Sequence, residues 1–248
     1  MRRASQGLFG SLFLSLFRFW TVVVVVAAIS TASARAQAQG EPPEAGFADK
    51  GHFALSAERL FGYVHVSQDQ SNGGISTSTT INSISVLGGP VNGIASIYTY
   101  PRVGLDGFIA PSISLGGSLT YFHLSTTPSG SSNSETVSGF LVAPRIGFAA
   151  RLAPAVWLWP RAGITYVYVS SNLGGGGSSA TTNLFAATVE VPVVLALAPQ
   201  AIAMIGPTLD LGLSGSSKVS NDQVPIAGTS TDIKETDIGL QISFAFYF

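Results

Sequence analysis

The chain has 248 residues, 10% of them charged, a formal net charge of -1 and no cysteine. Near-neutrality with only three lysines argues against a nucleic-acid surface, and the missing cysteines exclude a disulfide framework and a thiolate metal site. His52, His65 and His123 lie far apart in sequence, so neither a zinc centre nor another cofactor is expected. Hydrophobic residues make up 46% of the chain, yet beyond the N-terminus no run approaches the roughly 18 apolar residues of a membrane helix. The apolar content is instead dispersed in alternation, which is a strand code.

Residues 1–38 read as a secretory signal. Arg2, Arg3 and Arg18 supply positive charge, residues 19–29 are apolar, and Ala32-Ser33-Ala34, Ala34-Arg35-Ala36 and Ala36-Gln37-Ala38 offer small-residue cleavage sites. Residues 39–50 form a short leader, expected to be unstructured because Glu41, Pro42, Pro43 and Glu44 favour solvation. Residues 51–248 form the remaining domain.

Eight segments of that domain read as strands: about 52–66, 97–109, 112–126, 136–152, 155–170, 182–197, 200–214 and 233–248. Three connections are tight and carry an Ala-Pro pair, at Ala110-Pro111, Ala153-Pro154 and Ala198-Pro199; these prolines recur at intervals of 43 and 45 residues. The other four, about 67–96, 127–135, 171–181 and 215–232, are long and rich in Ser, Thr, Asn and Gly. Three short turns at one end and four long loops at the other predict an all-β, transmembrane, antiparallel up-and-down β-barrel of eight strands. The stretch ISTSTTINSISVL in the first loop lacks a continuous apolar face. It is expected to extend the flanking strands rather than to add a membrane hairpin and make ten.

Alternation assigns the faces. On the fifth strand Val156, Leu158, Pro160, Ala162, Ile164, Tyr166 and Tyr168 should face lipid, with Arg161, Gly163 and Thr165 inside. On the sixth, Val189, Val191, Val193 and Leu195 point out and Glu190 in. On the seventh, Ile205, Pro207, Leu209, Leu211 and Leu213 point out, leaving Gly206, Thr208, Asp210 and Gly212 within. Tyr98, Tyr100, Tyr121, Tyr166 and Tyr168 near the loops, and Phe108, Phe148, Trp157, Phe246 and Phe248 near the turns, are expected as interfacial girdles. Arg59 falls on the lipid parity, where a midplane charge costs roughly 2 to 4 kcal/mol, so a bulge near Glu58 or a place near the membrane surface is expected.

Three segments read Pro-Arg-x-Gly, at Pro101, Pro144 and Pro160, and each puts Arg and Gly on the inward parity. Acidic residues share that parity. Because an unpaired arginine in a narrow interior is costly, a lumenal network of Arg102, Arg145 and Arg161 with Glu58, Asp106, Glu190, Asp210 and Asp237 is expected.

The last strand, TDIGLQISFAFYF, alternates to the final residue, with Ile238, Leu240, Ile242, Phe244, Phe246 and Phe248 on one face. An open sheet ending on a bare apolar edge invites aggregation, whereas a closed barrel pairs its last strand with its first. With Phe244, Phe246, Tyr247 and Phe248 at its end, the strand resembles those of bacterial outer-membrane β-barrel proteins. The Pro-Arg-x-Gly motif also recurs among such families. The resemblance implies residence in the outer membrane of a Gram-negative bacterium, contact with its lipid, periplasmic turns, extracellular loops, and recognition by the barrel-assembly machinery through those four C-terminal residues.

For function, the residues point first to a non-enzymatic barrel with a plugged polar lumen, structural or interacting through its loops, whose composition specifies no ligand. The alternative is an embedded hydrolase. His123 and Ser125, with Glu135 across the loop, resemble the His-x-Ser and Glu arrangement of outer-membrane lipid A deacylases, although Thr126 stands where those enzymes often have Asn. That resemblance implies a catalytic set of His123, Ser125 and Glu135. A narrow pore is a further alternative, disfavoured because eight strands enclose space only for side chains.

Overall fold

The computed structural model describes residues 46–86, 89–90, 97–126, 135–172, 178–221 and 229–248. The expected signal segment, and the tips of the loops, lie outside them. Thirteen strands follow in order: β1 (Phe53–Asn72), β2 (Ile75–Val86), β3 (Gly89–Pro90), β4 (Arg102–Ala110), β5 (Ile113–Thr126), β6 (Glu135–Phe148), β7 (Ala150–Ala153), β8 (Val156–Leu158), β9 (Arg161–Asn172), β10 (Ser178–Glu190), β11 (Val193–Ala198), β12 (Ala201–Asn221) and β13 (Thr229–Tyr247). Eight antiparallel staves form the ring, because β6 with β7, β8 with β9, and β10 with β11 are single staves interrupted near Ala149, Pro160 and Pro192, and β2 and β3 lie beside β1 outside it. A proline cannot donate to the ladder, and two of these three breaks fall on one.

The ring runs β1, β4, β5, β6, β9, β10, β12, β13 and back to β1. Phe53 and Phe248 seal it by exchanging backbone hydrogen bonds of 2.9 and 3.0 Å. Closure removes the apolar edge that the C-terminal sequence would otherwise expose. Among the described residues no helix is long and apolar enough to cross a membrane. The apolar surface is carried by strands, with Leu105, Leu115, Ile146, Ile164, Ile238, Phe244 and Phe246 all exposed on the outside.

At the loop end the wall is uneven. β1, β12 and β13 have 20, 21 and 19 residues, against the roughly 9 to 11 that cross a bilayer. Much of what reads as the first and last loops is therefore continued ladder. β1 turns at Gly73 and Gly74, whose φ of +57° and +87° suit glycine, and β2 returns along it. Lower down, β1 has β4 as its neighbour instead. The expected second strand is shorter than predicted, since residues 97–99 form a 3-10 turn and strand geometry begins only after Pro101.

Part of the leader is ordered. Phe47, expected in an unstructured segment, is fully buried in the turn-end mouth among Ala54, Phe108, Trp157, Trp159, Met204 and Tyr247. Its ring meets Phe108, Trp157, Trp159 and Tyr247 edge-on at centroid distances of 5.2 to 5.6 Å. Gly51 N–H donates to Phe108 O at 2.8 Å and Ser112 N–H to Ala48 O at 2.9 Å, tying the strap down. Phe108 and Trp157 thus face the interior rather than a girdle, while Phe148, Phe246 and Phe248 face out. Val156, expected on the outer face, is buried as well.

Candidate functional site

Above the aromatic stopper lies a slab of charge. Glu58 accepts from Arg145 Nη1 and Nη2 at 2.8 and 2.7 Å, from Arg161 Nη1 at 2.9 Å and from the Ser56 hydroxyl at 2.9 Å. Arg145 also donates from Nε to Asp106 at 3.0 Å, so one guanidinium forks two carboxylates. Arg161 Nη2 lies 2.7 Å from Glu190 Oε2, and its guanidinium carbon stands 4.8 Å over the Trp159 ring, joining slab to stopper. All these side chains are buried. Burying charge costs several kcal/mol per ion unless partners fill its hydrogen-bonding capacity, and planar bidentate pairing does so best.

Arg59 completes the slab from a place where alternation does not put it. Between Ala57 and Phe61 the β1–β13 register slips, so that residues 58–60 of β1 face Ser243 alone. At this bulge Arg59 takes φ of +56° and its backbone N–H donates to Ser243 Oγ at 3.2 Å. The side chain turns into the lumen, 5% exposed, with Nη1 2.7 Å from Asp210 Oδ2 and Nη2 3.2 Å from Glu190 Oε1. It also donates to the Tyr98 carbonyl. The sequence signal was the Glu58-Arg59 pair itself, two adjacent charges in a strand that otherwise alternates.

Arg102 donates at 2.9 Å to the carbonyl of Tyr98. Asp210 is held further by Thr188 Oγ1 at 2.6 Å, which contacts Thr165 Oγ1 at 2.6 Å. Asp237 is buried on the inward face, opposite Asp210 in the β12–β13 ladder. The Pro-Arg-x-Gly glycines make room: a Cβ on Gly104 would stand 2.9 Å from Arg145 Nη2, and one on Gly163 only 2.1 Å from Pro144 O.

A second apolar layer closes the slab from above, built of Tyr98, Leu141, Ala143, Val167, Leu184, Ala186 and Ile233. Tyr98 therefore fills the lumen and is no part of a girdle. Tyr121 remains outside, and Tyr166 and Tyr168 cluster with Phe140 and Phe185 there. Voids of about 10 and 20 Å³ beside the slab are of the size that holds a single water.

The hydrolase set does not assemble. In the β5–β6 ladder Ser125 lies opposite Thr136, so His123 and Ser125 share the outer face and Glu135, one residue along, points to the other. No group of His, Cys, Asp and Glu among the described residues could hold a metal ion. At the C-terminus Phe244, Phe246 and Phe248 face out, while Tyr247 faces in and is buried against Phe47.

No family model matches the chain, and no curated protein sequence matches it. Solved structures do. The outer membrane protein OprG from Pseudomonas aeruginosa is 10% identical, with a TM-score of 0.52 over 81% of this chain and 97% of that one. The outer membrane protein AlkL, determined in DMPC lipid bilayers, is 13% identical, with a TM-score of 0.52 over 85% of this chain and 96% of that one. A closed ring of eight antiparallel staves with an apolar outside is thus the fold this chain shares with small outer-membrane β-barrels.

Proposed function

We propose that the protein resides in the outer membrane of a Gram-negative bacterium as a sealed barrel, anchored in lipid, that holds a polar wall of strands outside the cell for contact with other molecules. The observation that carries this reading is the filled lumen, in which an ion-paired slab lies between two apolar layers. Such an interior suits an anchor and leaves no path for solute. The upper parts of β1, β2, β10, β12 and β13, rich in Ser, Thr, Asn and Gln, form the surface on offer. The outward Phe244, Phe246 and Phe248 suit recognition by the barrel-assembly machinery before insertion.

The test is electrical. Purified full-length protein inserted into planar lipid bilayers is expected to give no steady conductance. Large, stable current steps would overturn the sealed-barrel reading and restore a pore.

A further inference from the structure

The three tight turns share a feature beyond their Ala-Pro pairs. Each sets a large aliphatic residue two places before its proline, at Ile109, Leu152 and Leu197, and all three are exposed. With Phe53, Phe148, Phe246 and Phe248, also exposed, they carry the apolar outside down to the turn tips. Lipid tails cover such a surface, so the headgroup layer lies level with the turns themselves. Among the described residues the charged side chains below the slab at this end are Asp49, Lys50 and Arg151.

Two of them line one cleft of about 530 Å³, a size that suits a small ligand. Its sides are Asp49 of the strap, Pro111 and Ser112 of the first turn and Arg151 at the base of the second, and Trp157 closes it toward the aromatic stopper. Arg151 is held from behind. It pairs with Trp157 across β7 and β8, its guanidinium carbon is 5.9 Å from the indole centroid, and Nη2 donates to Pro154 O at 3.2 Å. A guanidinium has five N–H donors, so most of the fork stays open. Asp49 is fixed through its backbone: its N–H donates to Gly46 O at 3.0 Å, and its carbonyl accepts from His52 N–H at 3.2 Å. Neither charge joins an ion pair among the described residues.

One cation and one anion, each without a counter-ion in a shared cleft at headgroup height, suit a ligand that carries both complementary charges. We propose that this cleft binds the head of a phosphatidylethanolamine molecule from the leaflet at the turn end, with its phosphate on Arg151 and the Ser112 hydroxyl and its primary ammonium on Asp49. Arginine forks phosphate oxygens with two parallel hydrogen bonds, and a carboxylate accepts the N–H donors of an ammonium. A choline head has no N–H to donate, and a glycerol head has no cation. The acyl chains pass over the short first turn to the exposed Ile109 and Ile113. The site goes beyond the anchoring role above and rests on it for the presence of a leaflet.

Delipidated full-length protein in detergent micelles, titrated with short-chain lipids and read by native mass spectrometry, should take up one phosphatidylethanolamine. Its affinity should exceed that for phosphatidylcholine or phosphatidylglycerol by about tenfold or more, the worth of one hydrogen bond to a charged group. Arg151→Gln and Asp49→Asn should each remove that preference. Both side chains are exposed, and unchanged tryptophan emission would show the strap still seated in either variant. Lys50→Gln is the control, a neighbouring charge that does not line the cleft, and should keep the preference. Equal uptake of the three lipids, or an equal loss in Lys50→Gln, would overturn the site. Free phosphoethanolamine bound as tightly as the lipid would overturn the assignment to a membrane lipid and leave a site for a soluble zwitterion. Neither failure touches the sealed-barrel reading, whose conductance test does not involve the cleft.

Discussion

A Glu58→Gln protein should unfold about 3 to 5 kcal/mol more easily than the parent, the usual cost of removing one partner from a buried ion cluster. Glu58 is where the slab converges: its carboxylate takes hydrogen bonds from Arg145, Arg161 and Ser56. The amide keeps the shape but cancels the charge and turns N–H donors toward guanidinium N–H donors. Asp106 and Glu190 remain to balance the arginines, but neither can move into the vacated geometry without breaking its own contacts. Urea unfolding of protein refolded into lipid vesicles, followed by tryptophan emission, measures the loss. Asp232→Asn, an exposed carboxylate on β13, should stay within about 0.5 kcal/mol of the parent. Equal midpoints for the two variants would show that the slab does not stabilise the barrel.

Phe47→Ala should cost a similar amount, about 3 to 5 kcal/mol, because a fully buried phenyl ring leaves a cavity that four surrounding rings cannot collapse to fill. A second effect follows from position. Phe47 stands between solvent at the turn end and the indoles of Trp157 and Trp159, so its removal should shift their emission to the red and raise quenching by acrylamide. Both readouts unchanged would mean that residues 46–50 do not occupy the mouth when the protein is in a bilayer. The ion slab above is untouched by this substitution, so the conductance should remain nil.

Legibility in the sequence followed the contrast between faces. Where the outside is apolar and the inside small or charged, as from Ile238 to Phe246 and from Leu209 to Leu213, period two marks both the strand and its sidedness. At the turn end the interior becomes apolar too. Phe108 and Trp157 therefore look like girdle residues although they point inward. Toward the loop end the opposite happens: both faces are wet, so the ladder from Ser67 to Asn72 and from Gly215 to Asn221 reads as loop. The carboxylates and arginines of the slab were readable because each lies on the inward parity. Arg59 was readable only as a misfit: its lipid parity called for a bulge near Glu58 or a place near the membrane surface, and the bulge is what turns it inward. Phe47 left no trace, as it precedes the first strand and belongs to no period.

The bulge in β1 has a numerical property. Three residues of β1 stand against one of β13, a surplus of two, and two is even. The strand therefore emerges with its faces unchanged: Ala54 and Ser56 are inside below it, Val64 and Val66 inside above. Deleting a single residue here would leave two residues against Ser243, an ordinary one-residue bulge, with Phe61 still opposite Ile242 and the faces above it unchanged. Deleting two would leave every face as it is and remove only the kink that aims the arginine. The ladder can therefore shed either length at this point, and what the surplus residues supply is the aim of one side chain.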